Sequence, residues 1–263
     1  MKTATRTLQR ALALVALLAI FTAGEARAQE VVQFVSCPIY RDTDAGRKSG
    51  CWLADDRESG QRYDVSLSPT KPLSTRAILV EGRVTSDAKA CGSMTLNPVR
   101  VSVLDMSCTP KMLPAEGYPG RPFVLPRRNV RPMSEARPTP QPPFQAKTFY
   151  LFFDFNRDFI VYQLDDYFLD QTIAYIRGIH ASKITVTGYA ATDPLNVSGQ
   201  VLAENFDIAR QRAEEITKAL ILLGVSKDKI TTEWYNASLP TDVPDADGLP
   251  DASRRRIEVL VQP

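Results

Sequence analysis

Hydrophobic and polar positions change their rhythm three times along this chain. From Gln29 to about Cys108 the apolar residues come in short alternating runs broken by turn residues. Ala77-Ile-Leu-Val-Glu-Gly-Arg-Val predicts a strand interrupted at Gly82. Val99, Val101 and Val103 alternate onto one face of another strand, and Val65-Ser-Leu shows a shorter alternation. Asp44-Ala-Gly, Glu58-Ser-Gly and Ser68-Pro read as turns. This pattern predicts a small all-β module over residues 29–108, for which an OB-like barrel and a sandwich are both candidate shapes.

Residues 109–147 lose that rhythm. About ten of the 19 prolines fall there, including Pro138, Pro140, Pro142 and Pro143, which predicts an extended, semi-rigid spacer. Arg127, Arg128 and Arg131 cluster within it and read as a solvated face. From residue 148 longer periods return. Phe149-Tyr-Leu-Phe-Phe-Asp-Phe is apolar on both alternating faces, which predicts a buried central strand. Leu169, Ile173 and Ile176 recur at helical spacing, and Ile184 and Val186 alternate in a strand that ends at Gly188 with a turn beyond it. A helix over 205–223 presents Ala209, Ala213, Ile216, Leu220 and Leu223 on one face, with Gly224 at its C-terminal cap. Asp228–Trp234 and Arg256–Val261 complete a β-α-β-α-β-β order. The fold class is therefore α+β, a small β module followed by a sandwich with helices on one side of a sheet.

The N-terminus adds a compartment. Lys2, Arg6 and Arg10 precede the apolar run Ala11–Ala23, and Ala26-Arg27-Ala28 offers a cleavage site, so residues 1–28 read as a secretory signal peptide. That run is shorter than the roughly 20 apolar residues a membrane-spanning helix needs. Cys37, Cys51, Cys91 and Cys108 then lie in an exported chain, where an even number of cysteines predicts two disulfides. Three pairings are open, and loop closure favours the sequence-local one, Cys37 with Cys51 and Cys91 with Cys108. Zinc is disfavoured, because no Cys-x-x-Cys pair exists and the single histidine, His180, is distant. A formal net charge of +2 argues against a nucleic-acid partner.

Candidate chemistry concentrates between Gly188 and Ala213. Arg212 falls in the first turns of the long helix, and its planar guanidinium can grip a carboxylate through two parallel hydrogen bonds. Asp193, on the loop opposite, can pair with an ammonium group, and Asn205 can cap the helix or point an amide at a ligand. An exposed Asp–Arg pair is the plainer reading of the same spacing. Asp242-Val-Pro-Asp-Ala-Asp-Gly contains an Asp-x-Asp-Gly kernel without the glutamate a calcium loop requires, so it reads as a polar loop. No nucleophile–base pair or metal set points to an enzyme, and no cofactor is expected.

Several features in order resemble the C-terminal domain family of outer membrane protein A: Phe-Phe-Asp-Phe on the first strand, Val-Thr-Gly-Tyr followed by Thr192-Asp193, Asn205 seven before Arg212-Ala213, Leu220, Gly224-Val225, Lys229-Ile230, Pro240 and Arg255-Arg256-Ile-Glu-Val. The resemblance spans 147–263 and leaves 29–146 unassigned. It implies an OmpA-like fold for 148–263 and non-catalytic binding of peptidoglycan in the periplasm, in association with the wall and the outer membrane. It further implies that Arg212 and Asp193 hold the diaminopimelate of the stem peptide, with Asn205 and Thr192 as supporting polar residues. Two departures stand out. Ala191 occupies the acidic position of an ungapped match, and the segment from Asp193 to Arg212 is longer than usual. They favour an alternative, a structural scaffold of an envelope assembly whose domain no longer binds the wall. The N-terminal module is then the candidate surface for outer-membrane or envelope-complex proteins.

Overall fold

The computed structural model describes residues 30–43, 50–85, 91–118, 139–159, 164–243 and 248–263. The expected signal peptide, the Asp44-Ala-Gly turn, the Arg127–Arg131 cluster and the centre of the acidic loop lie outside these residues.

Seven strands build the N-terminal half: β1 (Val31–Ser36), β2 (Pro38–Arg41), β3 (Cys51–Asp55), β4 (Arg62–Asp64), β5 (Arg76–Val84), β6 (Met94–Ser107) and β7 (Lys111–Leu113). They form one sheet of order β1-β5-β6-β4-β3-β2-β7. Strand β6 is 14 residues long and pairs with β5 along one side and β4 on the other. Alternation on β1, β5 and β6 buries Phe34, Ile78, Val80, Val99 and Val101 together with Tyr63 and Val65. Val65-Ser-Leu is not a strand: β4 ends at Asp64 and the chain turns, the Val65 carbonyl accepting from the Ser68 amide. Trp52 and Tyr63 behave as packing residues, Trp52 edge-on to Tyr40 and Tyr63 against Phe34.

The disulfides do not follow the sequence-local pairing. Cys37 bonds Cys108, and Cys51 bonds Cys91, across separations of 71 and 40 residues. The sheet dictates this. The residue after β1 meets the residue after β6, where the Cys108 amide also bonds the Thr75 carbonyl, while Cys51 and Cys91 share a small core with Ile39 and Leu53.

The C-terminal half contains β8 (Lys147–Phe152), α1 (Leu164–Gly178), β9 (Lys183–Tyr189), β10 (Leu195–Val197), β11 (Gln200–Leu202), α2 (Ile208–Leu222), β12 (Ile230–Tyr235), the short α3 (Pro250–Ser253) and β13 (Arg256–Gln262). Its main sheet has the order β12-β9-β13-β8. The helices pack on one face through Leu169, Ile173, Ile176, Ala213, Ile216 and Leu220 against Leu151, Ile184, Val186, Ile257 and Val259. Both helices end in the same motif. Gly224 adopts φ 92°, its amide bonding Ile221 and the Val225 amide bonding Leu220; His180 does the same at φ 53° after α1, with Ala181 bonding Ile176.

Three expectations need correction. Strand β8 is an edge rather than a central strand. Its second apolar face is covered because the N-terminal sheet lies on it, placing the Arg100 guanidinium over the Phe152 ring, 5.4 Å from the centroid. Gly188 does not end β9, which continues through Tyr189. A Cβ there would come 2.2 Å from the Ala209 carbonyl oxygen, so glycine is needed to let α2 lie on the strand. Finally, the long segment beyond Asp193, read as a loop, contains a β10–β11 hairpin, turned at Ser198 and Gly199 with φ 50° and 74°.

The two halves touch directly. Arg255 is buried against Glu81, Thr70 donates to Asp154 at 2.6 Å, the Phe155 amide donates to Ser102 Oγ at 2.8 Å, and Arg157 reaches the Val103 carbonyl at 3.1 Å. The hairpin joins this contact. Val197, Leu195 and Leu202 pack with Val35, Ala77, Leu79 and Leu104, and the Val35 amide donates to Ser198 Oγ at 3.1 Å. No helix among the described residues is long and apolar enough to cross a membrane.

Candidate functional site

Helix α2 starts after Asp207, and Ile208, Ala209, Arg212 and Ala213 are its buried residues at that end. Arg212 is thus carried on the inward stripe, three residues after Ala209 and above Gly188. Its side chain is fully buried. Nε donates to the Arg157 carbonyl at 2.7 Å, Nη1 to the Tyr189 carbonyl at 3.1 Å, and Nη2 to the Asp154 carbonyl at 3.2 Å. The remaining edge of the fork is bidentate to Glu204, Nη2 to Oε1 at 2.6 Å and Nη1 to Oε2 at 3.1 Å. All five N–H donors of the guanidinium are used. The Phe153 ring lies beneath it, 4.9 Å away.

Glu204 follows β11 by two residues. Besides Arg212, its carboxylate accepts from the Asn156 and Ala191 amides, each at 2.8 Å. Burial alone would push this carboxyl up, but the Arg212 charge and hydrogen bonds, with help from Arg255 and the Ala191 amide, hold it below its ordinary value. The neighbouring Asp154 goes the other way. Burial dominates and raises it, opposed by the Thr70 hydrogen bond and the Arg100 and Arg255 charges. Arg255 stays charged against its own burial because Glu81 faces it.

The other expected residues sit elsewhere. Asp193 is exposed and pairs with Arg254 at 3.0 Å, and Arg254 is itself held by the Ser238 carbonyl. Thr192 Oγ1 donates to the Asn236 carbonyl. Asn205 is exposed and precedes the helix cap position; its amide donates to Asn156 Oδ1 at 2.9 Å, and its side chain does not cap the helix. Ala191, Asp193, Leu195, Arg254 and Arg255 line one small cleft with Gln33 and Leu79 of the N-terminal sheet. Arg212 lies behind it, reached through Glu204 and Ala191 rather than bonded to Asp193. Glu204 and Arg254 were not singled out from sequence. The only available signal for Glu204 was a lone acid beside the helix start, and the hairpin that orients it carries no period linking it to Arg212.

Among the described residues no group of three or more His, Cys, Asp and Glu could hold a metal ion. No curated protein matches the chain. Among solved structures, the peptidoglycan-associated lipoprotein of Burkholderia pseudomallei is 21% identical over 43% of this chain and 90% of its own, with a TM-score of 0.33. The OmpA-like domain of FopA1 from Francisella tularensis is also 21% identical, over 45% and 73%, with a TM-score of 0.33. The periplasmic domain of Helicobacter pylori MotB is 19% identical over 45% and 76%, with a TM-score of 0.34. The OmpA family model matches residues 152–256, from the end of β8 to the start of β13, and so takes in Arg212, Glu204 and Asp193. Residues 152–256 are a domain of the OmpA family.

Proposed function

We propose that this is a non-catalytic, peptidoglycan-associated protein of the periplasm, and that its OmpA-family domain holds the diaminopimelate of a stem peptide. Arg212 takes the ligand carboxylate on its bidentate edge and Asp193 takes the ammonium, with Thr192 and Asn205 alongside. The observation that supports the reading is the family match over the segment that carries Arg212. The geometry adds that the Arg212 site already accommodates a carboxylate, that of Glu204. The N-terminal sheet is the surface left for envelope-complex or outer-membrane proteins.

A second reading is favoured by one observation. Arg212 is fully buried and has no spare donor. A domain in that condition serves equally well as a scaffold that has given up the wall. Co-sedimentation of residues 29–263 with purified diaminopimelate-type sacculi separates the two. The wall reading expects saturable pelleting that free meso-diaminopimelate competes away. Absence of pelleting for both the wild type and Glu204→Gln would overturn it in favour of the scaffold.

A further inference from the structure

The hairpin between β9 and α2 ends beside the ligand site just described, and the residue it delivers there is an acid. We propose that Glu204 is a built-in competitor for the site: its carboxylate occupies the edge of Arg212 on which a stem-peptide carboxylate would sit. The hairpin, docked on the N-terminal sheet, holds it there. This rests on the wall-binding reading of Arg212.

Three observations carry it. The first is donor arithmetic. Three of the five Arg212 donors go to backbone carbonyls, and the other two, the only parallel pair, go to Glu204. A second carboxylate has nowhere to bind in the same geometry unless Glu204 leaves. The second is that Glu204 behaves as a bound ligand does. It is buried and ionised, and its oxygens accept from two backbone amides, Asn156 and Ala191, from two different loops. The third is mechanical. Glu204 lies two residues beyond β11, and its own amide bonds the Ala191 carbonyl at 3.0 Å, closing the base of the hairpin. The hairpin is fastened to the N-terminal sheet by Leu195, Val197 and Leu202 and by the Ser198–Val35 bond. Lifting the hairpin from that sheet withdraws Glu204 from Arg212, so wall binding is coupled to the contact between the two halves. Exchange replaces one carboxylate by another on the same fork, and the charge of Arg212 stays compensated throughout.

The test is the sacculus assay on wild type, Glu204→Gln and Glu204→Gln/Arg212→Lys, each checked for folding by circular dichroism and thermal melting. Glu204→Gln keeps the shape and removes the competing charge. It is expected to lower the half-saturating sacculus concentration at least tenfold, and the Arg212→Lys change is expected to abolish that gain. Should Glu204→Gln fail to fold, Leu195→Ala/Leu202→Ala loosens the hairpin without touching the ion pair and is expected to tighten binding about threefold. Wild type that binds, with a folded competitor or hairpin variant that binds no better, overturns the inference and leaves the wall reading standing. Failure of every variant to bind removes the wall reading and the inference with it.

Discussion

Replacing Arg212 by alanine is expected to cost a large part of the stability of the C-terminal half. The substitution strands a buried Glu204 carboxylate, whose only remaining donors are the Asn156 and Ala191 amides, and leaves the Arg157, Tyr189 and Asp154 carbonyls short of a donor. Breaking a buried ion pair from one side costs about 3–5 kcal/mol, against a total that is on the order of 5–15 kcal/mol for a domain. Urea unfolding with the disulfides intact measures the difference, through far-UV circular dichroism at pH 7. The second arm is Arg212→Met/Glu204→Leu, which removes both charges together. It is expected to recover a large part of the loss, because the penalty lies in the stranded charge rather than in the missing attraction. A loss below about 1 kcal/mol for Arg212→Ala, the range of an exposed pair, would show that the guanidinium is not sealed as described and refute the reasoning.

Three further outcomes are expected. The Glu204 carboxyl titrates below its ordinary 4.5 in the folded state, so its contribution is complete above that pH and is lost as pH falls through the lowered value. The stability gap between wild type and Glu204→Gln should therefore be widest at neutral pH and shrink in acid, and a gap that widens in acid would reverse the assignment; the raised Asp154 has the opposite sign and is common to both proteins. Cys51→Ser/Cys91→Ser opens a loop closed across 40 residues and is expected to lower stability by about 3–4 kcal/mol, read as a fall in urea midpoint relative to the oxidised wild type. Gly188→Ala puts a methyl against the Ala209 carbonyl, pushing α2 off β9, and should lower the melting temperature by several degrees, about 2 kcal/mol or more; an unchanged melt would mean that the helix yields freely.

The elements that could be read from sequence are those whose burial repeats at a fixed period. Helix α2 declared itself through Ala209, Ala213, Ile216 and Leu220, and β13 through Ile257, Val259 and Val261. What could not be read came from contacts between the halves. Two apolar faces on Phe149–Phe153 suggested a central strand, yet the second face is covered by a different sheet altogether. The disulfides followed strand neighbours rather than loop length. At the site, Arg212 stood out for its guanidinium and its place in the first turns of the helix, but its full burial was not legible, because the apolar stripe was read through its neighbours Ala209 and Ala213. Its partner Glu204 was not legible either, because it is placed by a three-residue strand pairing that packs on the N-terminal sheet.

Strand β13 has a consequence for the order of assembly. It lies between β9 and β8 and is the most C-terminal strand of its sheet, while Arg255, the residue just before it, reaches back to Glu81. Until Arg255–Gln262 has emerged, β8 and β9 have no common neighbour and Glu81 lacks its bidentate partner. Until β13 is in place, β8 and β9 leave strand edges unpaired, and such edges are where a growing chain aggregates.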